Sequence, residues 1–172
     1  QGIADVVADE SRGLAYIVTC EDQHWMLYDF ATKKFSELGP MLTPYATTLM
    51  DSEGNAHSLT KDFHLATYNP KTKKVTQRPI EIEGKPFVRK NGSAIPTWNL
   101  SADGRTAWLI LMNDASLISI DLSSKGGKVN GVNHGLMLRG DKPDSRSALT
   151  IAPDGKIYTL ISVQNTTGFG KG

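Results

Sequence analysis

One segment of this chain occurs twice. Residues 24 to 35 read HWMLYDFATKKF, and residues 64 to 75, forty positions later, read HLATYNPKTKKV. Gly-bearing turns extend the repeat at separations of 41, 50 and 51 residues, at Gly13, Gly54, Gly104 and Gly155. A period of this length is typical of one supersecondary unit repeated along a chain, and it constrains the fold more strongly than composition does.

The repeated unit contains four short apolar segments. One precedes each Gly turn, one follows it, and in three repeats two more flank a polar turn. The segments are too short for helices and are rich in Val, Ile, Tyr, Trp and Thr, so we predict strands. Several, including WMLY and WLILM, are apolar without alternation, which indicates burial on both faces. Trp108 is therefore expected to be buried.

The motifs resemble those of a known architecture. LSADGRTAWLI and IAPDGKIYTLI resemble the SPDG-type turns of YVTN, TolB, NHL and SMP-30-like β-propellers, and LYDFATKKFSEL and TYNPKTKKVTQ resemble their YDPxTGKxxxL hairpins. The resemblance covers nearly the whole chain and implies an all-β propeller segment of four-stranded antiparallel blades. It implies little about activity, because the same blades serve many functions. In the turns, Asp103, Gly104, Asp154 and Gly155 are expected to shape the backbone.

The repeat count predicts an incomplete ring. Within a single domain spanning residues 1–172, the blades are predicted at residues 1–40, 41–82, 94–133 and 146–172, the last of them incomplete. This is about three and a half blades, whereas propellers typically have about 4 to 8 and must close. We expect a ring of about 6 to 8 blades. The remaining blades would come from the same longer chain, from a second copy or from a partner chain.

Charge and cysteine content restrict the partners. The net charge of +1 gives no reason to expect nucleic acid or a membrane surface, and no apolar run approaches the roughly 20 residues that cross a bilayer. The single Cys20 excludes an internal disulfide and multi-cysteine metal signatures. We expect a soluble chain. Gln1 is not an initiator Met, so the chain is expected to be a processed product, secreted or periplasmic, or a piece of a longer one.

Binding residues of a propeller usually lie on loops that the rigid blades hold in place. The turns between second and third strands share one rim with the connectors between blades, and we name it the connector rim. The Gly turns share the opposite rim, the Gly-turn rim. We predict a ligand- or partner-binding surface on the connector rim that includes His24, His64, Tyr45, Lys85, Phe87, Arg89, Lys90 and Trp98. The basic connector around Phe87 suits an acidic partner.

Two histidines occupy equivalent places in neighbouring blades. His24 and His64 begin the third strands, and Asp22 and Asp62 each precede one of them by two residues. These four are candidate ligands for a divalent metal, and no other cofactor is predicted. The alternative is that a repeated structural histidine makes local hydrogen bonds. His57, one strand earlier, is expected diagonally across the hairpin from His64.

Candidate catalytic residues lie near the predicted channel mouth. Asp144 and Arg146 are placed to orient an anionic substrate, and His134, in the last connector, is placed as a base. The alternative for these residues is a rim ion pair and a loop histidine.

The expected function is a non-catalytic scaffold or binding platform that engages a protein partner or a small ligand through one loop rim. Two alternatives stay open. One is a propeller hydrolase or lyase with a metal near the central channel, because the blades loosely resemble those of SMP-30-like lactonases and streptogramin-type lyases. The other is a structural domain of a larger multidomain enzyme or complex.

Overall fold

A computed structural model describes residues 2–88, 95, 97–113, 115–138 and 141–164; the side chains at 146–148 and 164 lie outside that description. All regular structure in these residues is β-strand, in three antiparallel four-stranded units and a final two-stranded one. The chain is therefore an all-β, partial β-propeller, as the repeat predicts. No helix in these ranges is long and apolar enough to cross a membrane.

The strands follow one another as meanders. The first blade contains β1 (Ile3–Asp9), β2 (Leu14–Thr19), β3 (Trp25–Asp29) and β4 (Lys34–Glu37). The second contains β5 (Leu49–Met50), β6 (Ala56–Leu59), β7 (His64–Asn69) and β8 (Lys74–Ile82), with the short β9 (Lys85–Pro86) paired to β8. The third contains β10 (Trp98–Leu100), β11 (Thr106–Ile110), β12 (Ser116–Asp121) and β13 (Val129–Leu136). The last contains β14 (Asp141–Ile151) and β15 (Ile157–Gln164).

The Gly turns have the geometry that their residues predict. Gly104 and Gly155 adopt left-handed φ values of 68° and 80°, which residues with a Cβ adopt only at a cost. Asp103 Oδ1 accepts a hydrogen bond from the backbone N–H of Arg105 at 3.0 Å, as an aspartate does in a tight turn. The prediction that these residues shape the turns is confirmed.

The duplicated segment folds into the same hairpin twice. Asp29 Oδ1 accepts the backbone N–H groups two and three positions later, at 2.9 and 3.0 Å, and Asn69 Oδ1 does the same at 2.9 and 3.1 Å. Lys33 and Lys73 then adopt left-handed φ values of 56° and 55°. The two copies are thus the third and fourth strands of neighbouring blades, connected by equivalent turns.

Apolar side chains form three clusters, each between two successive blades. In chain order, the clusters contain Trp25 and Tyr68, then Leu65 and Ile118, then Ile110 and Leu149. β6 is buried along its whole length because blades pack against both of its faces. The absence of alternation in the apolar segments therefore has the cause that the sequence predicts, which is burial on both sides of a sheet.

Trp108 differs from its expected burial. It is only partly buried at the margin of the third cluster, and its ring centroid lies 5.0 Å from that of His134. The described last blade has two strands, and it leaves part of this indole uncovered. Trp108 is therefore less buried than the sequence predicts, because its cover depends on the neighbouring blade.

The second and third blades are joined into one sheet, which the repeat does not predict. β13 pairs in parallel with β8, with Val129 opposite Ile80 and Gly131 opposite Ile82. A Cβ at Gly131 would lie 2.5 Å from the side chain of Ile82 on β8 and 2.8 Å from the backbone oxygen of Ser119 on β12, closer than real Cβ atoms come. A glycine is therefore required where the outer strands of the two blades meet.

The end blades each expose apolar side chains within the described residues. Val6 and Phe35 on the first sheet are 54% and 63% exposed, and Tyr158 and Leu160 on β15 are 55% and 73% exposed. Equivalent faces inside the array are buried in the three clusters. These two surfaces are where a ring would continue.

Candidate functional site

The connector rim carries a small cleft. Its volume is about 290 Å³, and it lies between the end of β2 and the connector that leads to the second blade. Cys20, Gln23 and Tyr45 contribute to its lining. Tyr45 is 63% exposed, so the structure places this predicted binding residue where a ligand can reach it.

The backbone of the connector rim is strained at several non-glycine residues. Tyr45 has a φ of 62°, and left-handed values also occur at Glu21 (63°), Gln23 (49°), Phe63 (60°) and Ala115 (51°). Each such residue costs on the order of 1–3 kcal/mol and persists only when its surroundings enforce it. Strain of this kind occurs at ligand sites, and here it lies on the rim that the sequence predicts for binding as well as in the hairpin turns at Lys33 and Lys73.

The paired histidines make local hydrogen bonds. The backbone N–H of His24 donates to Thr19 Oγ1 at 3.0 Å, and that of His64 donates to Thr60 Oγ1 at 3.0 Å, so the two positions are structurally equivalent. His24 Nδ1 also lies 2.6 Å from Glu37 Oε1. Within the described ranges, no three His, Cys, Asp or Glu side chains are grouped to hold a metal ion, and this includes Asp22 and Asp62.

Two predicted aromatic rim residues support the core instead. Trp98 is 4% exposed, and its indole N–H donates to the carbonyl of Thr47 at 3.3 Å. Phe87 packs against the second cluster with its ring centroid 4.9 Å from that of Phe63. These two aromatic side chains therefore anchor the connectors that carry the rim.

The basic residues of the same connector are described only in part. Lys85 lies in β9 and is exposed. Arg89 and Lys90 fall outside the described residues, so the proposed acidic partner surface stays a prediction.

The candidate catalytic residues are distributed over two blades. His134 is in β13 rather than in the last connector, because this strand continues to Leu136, and its Nε2 lies 2.9 Å from Ser119 Oγ. Asp144 and Arg146 lie in β14, where Asp144 is paired with Ser162. The side chain of Arg146 is not described. His134 and Asp144 thus lie in different blades, and their roles as a base and as a substrate-orienting residue stay predictions.

A larger cleft lies on the Gly-turn rim, between the second and third blades. Its volume is about 660 Å³. Its walls come from the Gly turns of both blades, the turn between β12 and β13, and side chains of β6, β7 and β8. The sequence assigns only turn-forming roles to this rim, so it predicts no site here.

A buried chain of three polar side chains lines this cleft. His57 is 3% exposed; its Nε2 lies 3.0 Å from Asp51 Oδ2, and its Nδ1 lies 3.0 Å from Thr67 Oγ1. An ionised carboxylate can only accept, so Nε2–H donates to Asp51, and Nδ1 shares a hydrogen bond with the Thr67 hydroxyl. His57 thus pairs with Asp51 and Thr67 at the Gly-turn end of the hairpin rather than with His64.

The carboxylate of Asp51 has its acceptor capacity filled. Oδ1 accepts the backbone N–H groups of Glu53 and Asn55 at 2.9 and 2.8 Å, and Oδ2 accepts the side chains of Asn55 and His57 at 2.9 and 3.0 Å. Burial raises the pKa of Asp51, but the hydrogen bonds from His57 and Asn55 outweigh burial and hold the pKa at about 2. The carboxylate is therefore ionised and engaged within its own turn.

Three cations also line the cleft. Arg78 comes from β8, Arg105 from the Gly turn of the third blade, and Lys125 from the turn between β12 and β13. The available sequence signal was the basic stretch from Lys61 to Lys90, which contains Arg78. Its place beside Arg105 and Lys125 depends on the pairing of β8 with β13.

Comparisons by sequence and by structure give different results. No protein-family profile and no curated protein sequence match this chain. Among solved structures, 91% of the chain matches the periplasmic gluconolactonase of Pseudomonas aeruginosa with a TM-score of 0.62 at 14% identity, over 49% of that chain. A protein of unknown function from Bacteroides thetaiotaomicron matches 92% of the chain with a TM-score of 0.62 at 12% identity, over 43% of its length.

A third likeness is to the extracellular domain of a protein assigned as a one component system from B. thetaiotaomicron. It covers 99% of this chain and 22% of that one, with a TM-score of 0.62 at 14% identity. The chain thus spans between 22% and 49% of the length of these three structures. At such identities the likeness shows a fold, and the fold shared here is propeller-like and all-β.

Proposed function

We propose that the chain is part of a β-propeller that serves as a non-catalytic binding platform and engages a protein partner or a small ligand through the connector rim. The observation that carries this proposal is the cleft beneath Tyr45, whose exposed side chain stands on left-handed backbone. An exposed tyrosine offers a large, amphipathic contact surface at low conformational cost. The backbone strain around it supports a site whose geometry the blades enforce.

The same proposal includes the rest of the ring. The exposed apolar faces of the first blade and of β15 support a continuation in both directions, and we assign the missing blades to the same longer chain. A second copy and a separate partner chain are the competing sources. Light scattering of the chain alone tests the second copy, because only that source predicts a stable dimer. Membership of the YVTN, TolB, NHL and SMP-30-like group, and a location outside the cytoplasm, belong to this proposal.

A propeller hydrolase is the second candidate. Its support is the fold shared with a periplasmic gluconolactonase. Gluconolactone hydrolysis, measured with and without added Ca²⁺, Mg²⁺ or Zn²⁺, tests it. Turnover that depends on one of these metals supports the hydrolase, and the uncatalysed rate under all conditions supports the platform.

Binding at Tyr45 is tested by screening the chain against a panel of small metabolites and a displayed peptide library. We expect Tyr45→Ala to weaken the ligands found by about tenfold or more, as the loss of a tyrosine hot spot does. Tyr158→Ala is the matched control, because Tyr158 is also exposed but lies on the end blade. Ligands that are insensitive to Tyr45→Ala would contradict the assignment of the site to this cleft.

A further inference from the structure

We infer that the Gly-turn rim cleft between the second and third blades binds a small molecule that carries an oxyanion, a phosphate or a carboxylate. The cleft brings together Arg78, Arg105 and Lys125 from three separate elements. This site is on the opposite rim from Tyr45 and is independent of the proposed platform surface.

The acidic residues of the cleft are largely engaged within their own turns. Asp51 accepts four hydrogen bonds, as described above. Asp103 Oδ1 accepts the Ser101 hydroxyl at 2.6 Å and the backbone N–H of Arg105 at 3.0 Å, and these bonds lower the pKa of Asp103. The side chain of Glu53 is the remaining carboxylate. Two of the three acids are therefore already satisfied by local donors.

Carboxylates lie near two of the cations: Arg105 attracts the charge of Asp103, and Arg78 attracts that of Asp121. Among the described residues, no ion pair joins Arg78, Arg105 or Lys125 to an acidic side chain. Arg78 Nη1 donates to the carbonyl of Ser124 at 2.6 Å. The other N–H groups of this guanidinium are left to donate to a ligand. Charged donors that line a cleft without forming close ion pairs there are the features that recognise phosphate and carboxylate.

The walls of the cleft are fixed by contacts between blades. Lys128 Nζ lies 2.6 Å from Glu81 Oε1 beside the pairing of β8 with β13. At the other side, Arg12 Nη2 of the first blade donates to the carbonyl of Glu53 at 3.1 Å. A site whose walls are already held in place loses less freedom when it binds a ligand.

The dimensions indicate more than a bare ion. A volume of about 660 Å³ is within the range of sites for small organic molecules. Ser52, Asn55 and Thr67 add neutral hydroxyl and amide groups to the lining, which suit a polar ligand body. The fitting ligand is a polar organic phosphate or carboxylate.

Calorimetric titration with inorganic phosphate, glycerol 3-phosphate and citrate tests the inference, with ionic strength held constant by chloride. We expect saturable binding of at least one probe, and a loss of about tenfold or more in R105Q/K125Q, because each lost contact is a charge-assisted hydrogen bond. K71Q/K74Q is the matched control, because it removes the same charge from exposed positions outside the cleft. The affinity of this variant for the probe should stay within about twofold of that of the unchanged chain.

The outcomes separate the alternatives. Tighter binding of glycerol 3-phosphate identifies a phosphate site, and tighter binding of citrate identifies a carboxylate site. Absence of saturable binding of all three probes, or an equal loss in K71Q/K74Q, would overturn the inference. Tyr45→Ala should leave binding in the Gly-turn rim cleft unchanged. A failure to bind these probes therefore does not count against the proposed binding site on the connector rim. Unchanged melting temperatures show that the variants are folded.

Discussion

His57 Nε2 donates a hydrogen bond to Asp51 Oδ2 at 3.0 Å, and this contact connects a Gly turn to the buried interior of the second blade. Through Nδ1 the same ring shares a hydrogen bond with the hydroxyl of Thr67 on the next strand. Three successive elements of the blade are thus joined by side chains as well as by the strand ladder. Because Asp51, His57 and Thr67 also line the Gly-turn rim cleft, their hydrogen bonds hold one wall of that cleft in place.

The Asp51 contact predicts a loss of stability in acid. The pKa of Asp51 is about 2 in the folded chain and about 3.9 in an unfolded one, so its contribution is complete above about pH 4 and is lost as the pH falls through 2. Urea unfolding between pH 5 and pH 2 should show a loss of stability to which Asp51 contributes about 2 kcal/mol, and this share should be absent in Asp51→Asn. Glu53→Gln, in the same turn, should keep it. The same acid dependence in Asp51→Asn would refute the assignment.

Tyr16 predicts the opposite dependence in alkali. Its side chain is fully buried, its hydroxyl has no hydrogen-bond partner within the described residues, and burial raises its pKa to about 12. The raised pKa favours the neutral form in the folded chain, so stability is lost as the pH rises from 10 through 12.

Replacing Tyr16 by phenylalanine removes both the unsatisfied buried hydroxyl and the ionisable group that causes the loss of stability in alkali. We expect Tyr16→Phe to raise the free energy of unfolding by about 1 kcal/mol at pH 7, because an unsatisfied buried hydroxyl disappears. The part of the loss of stability in alkali that the ionisation of Tyr16 causes should also disappear. Tyr68→Phe is the control for the gain at pH 7, since the Tyr68 hydroxyl, on a ring 6.0 Å away between centroids, is not buried without a partner. Destabilisation by Tyr16→Phe would show that the hydroxyl has a partner.

The junction of β8 and β13 depends on Gly131. Gly131→Ala should destabilise the chain by about 1–3 kcal/mol, because the new Cβ would meet the backbone oxygen of Ser119 at 2.8 Å. Gly127→Ala is the matched control, since no atom lies within 4 Å of a Cβ at that position. Chemical unfolding of both variants measures the difference. Equal stability would show that β13 does not approach Ser119 of β12 and Ile82 of β8 as closely as described.

Trp25 should contribute more stability than Trp108. The Trp25 side chain is fully buried between the first two blades, and its indole N–H donates to Thr48 Oγ1 at 3.2 Å. We expect Trp25→Ala to cost about 3–5 kcal/mol. Trp108→Ala should cost clearly less because this indole is only partly buried. Unfolding midpoints in urea check the order, and a reversed order would contradict the blade packing.

The sequence by itself determined the strands, the Gly turns and the repeated hairpin, because these depend on residues a few positions apart. Asp29 and Asn69, for example, each bond the backbone two and three positions later. It also placed Tyr45 on an exposed rim. Only the tertiary structure decided that Trp98 lies in the core, that β13 pairs with β8, and that Arg78 faces the turn containing Lys125. These relationships join residues about one repeat apart, and the packing of whole blades determines them.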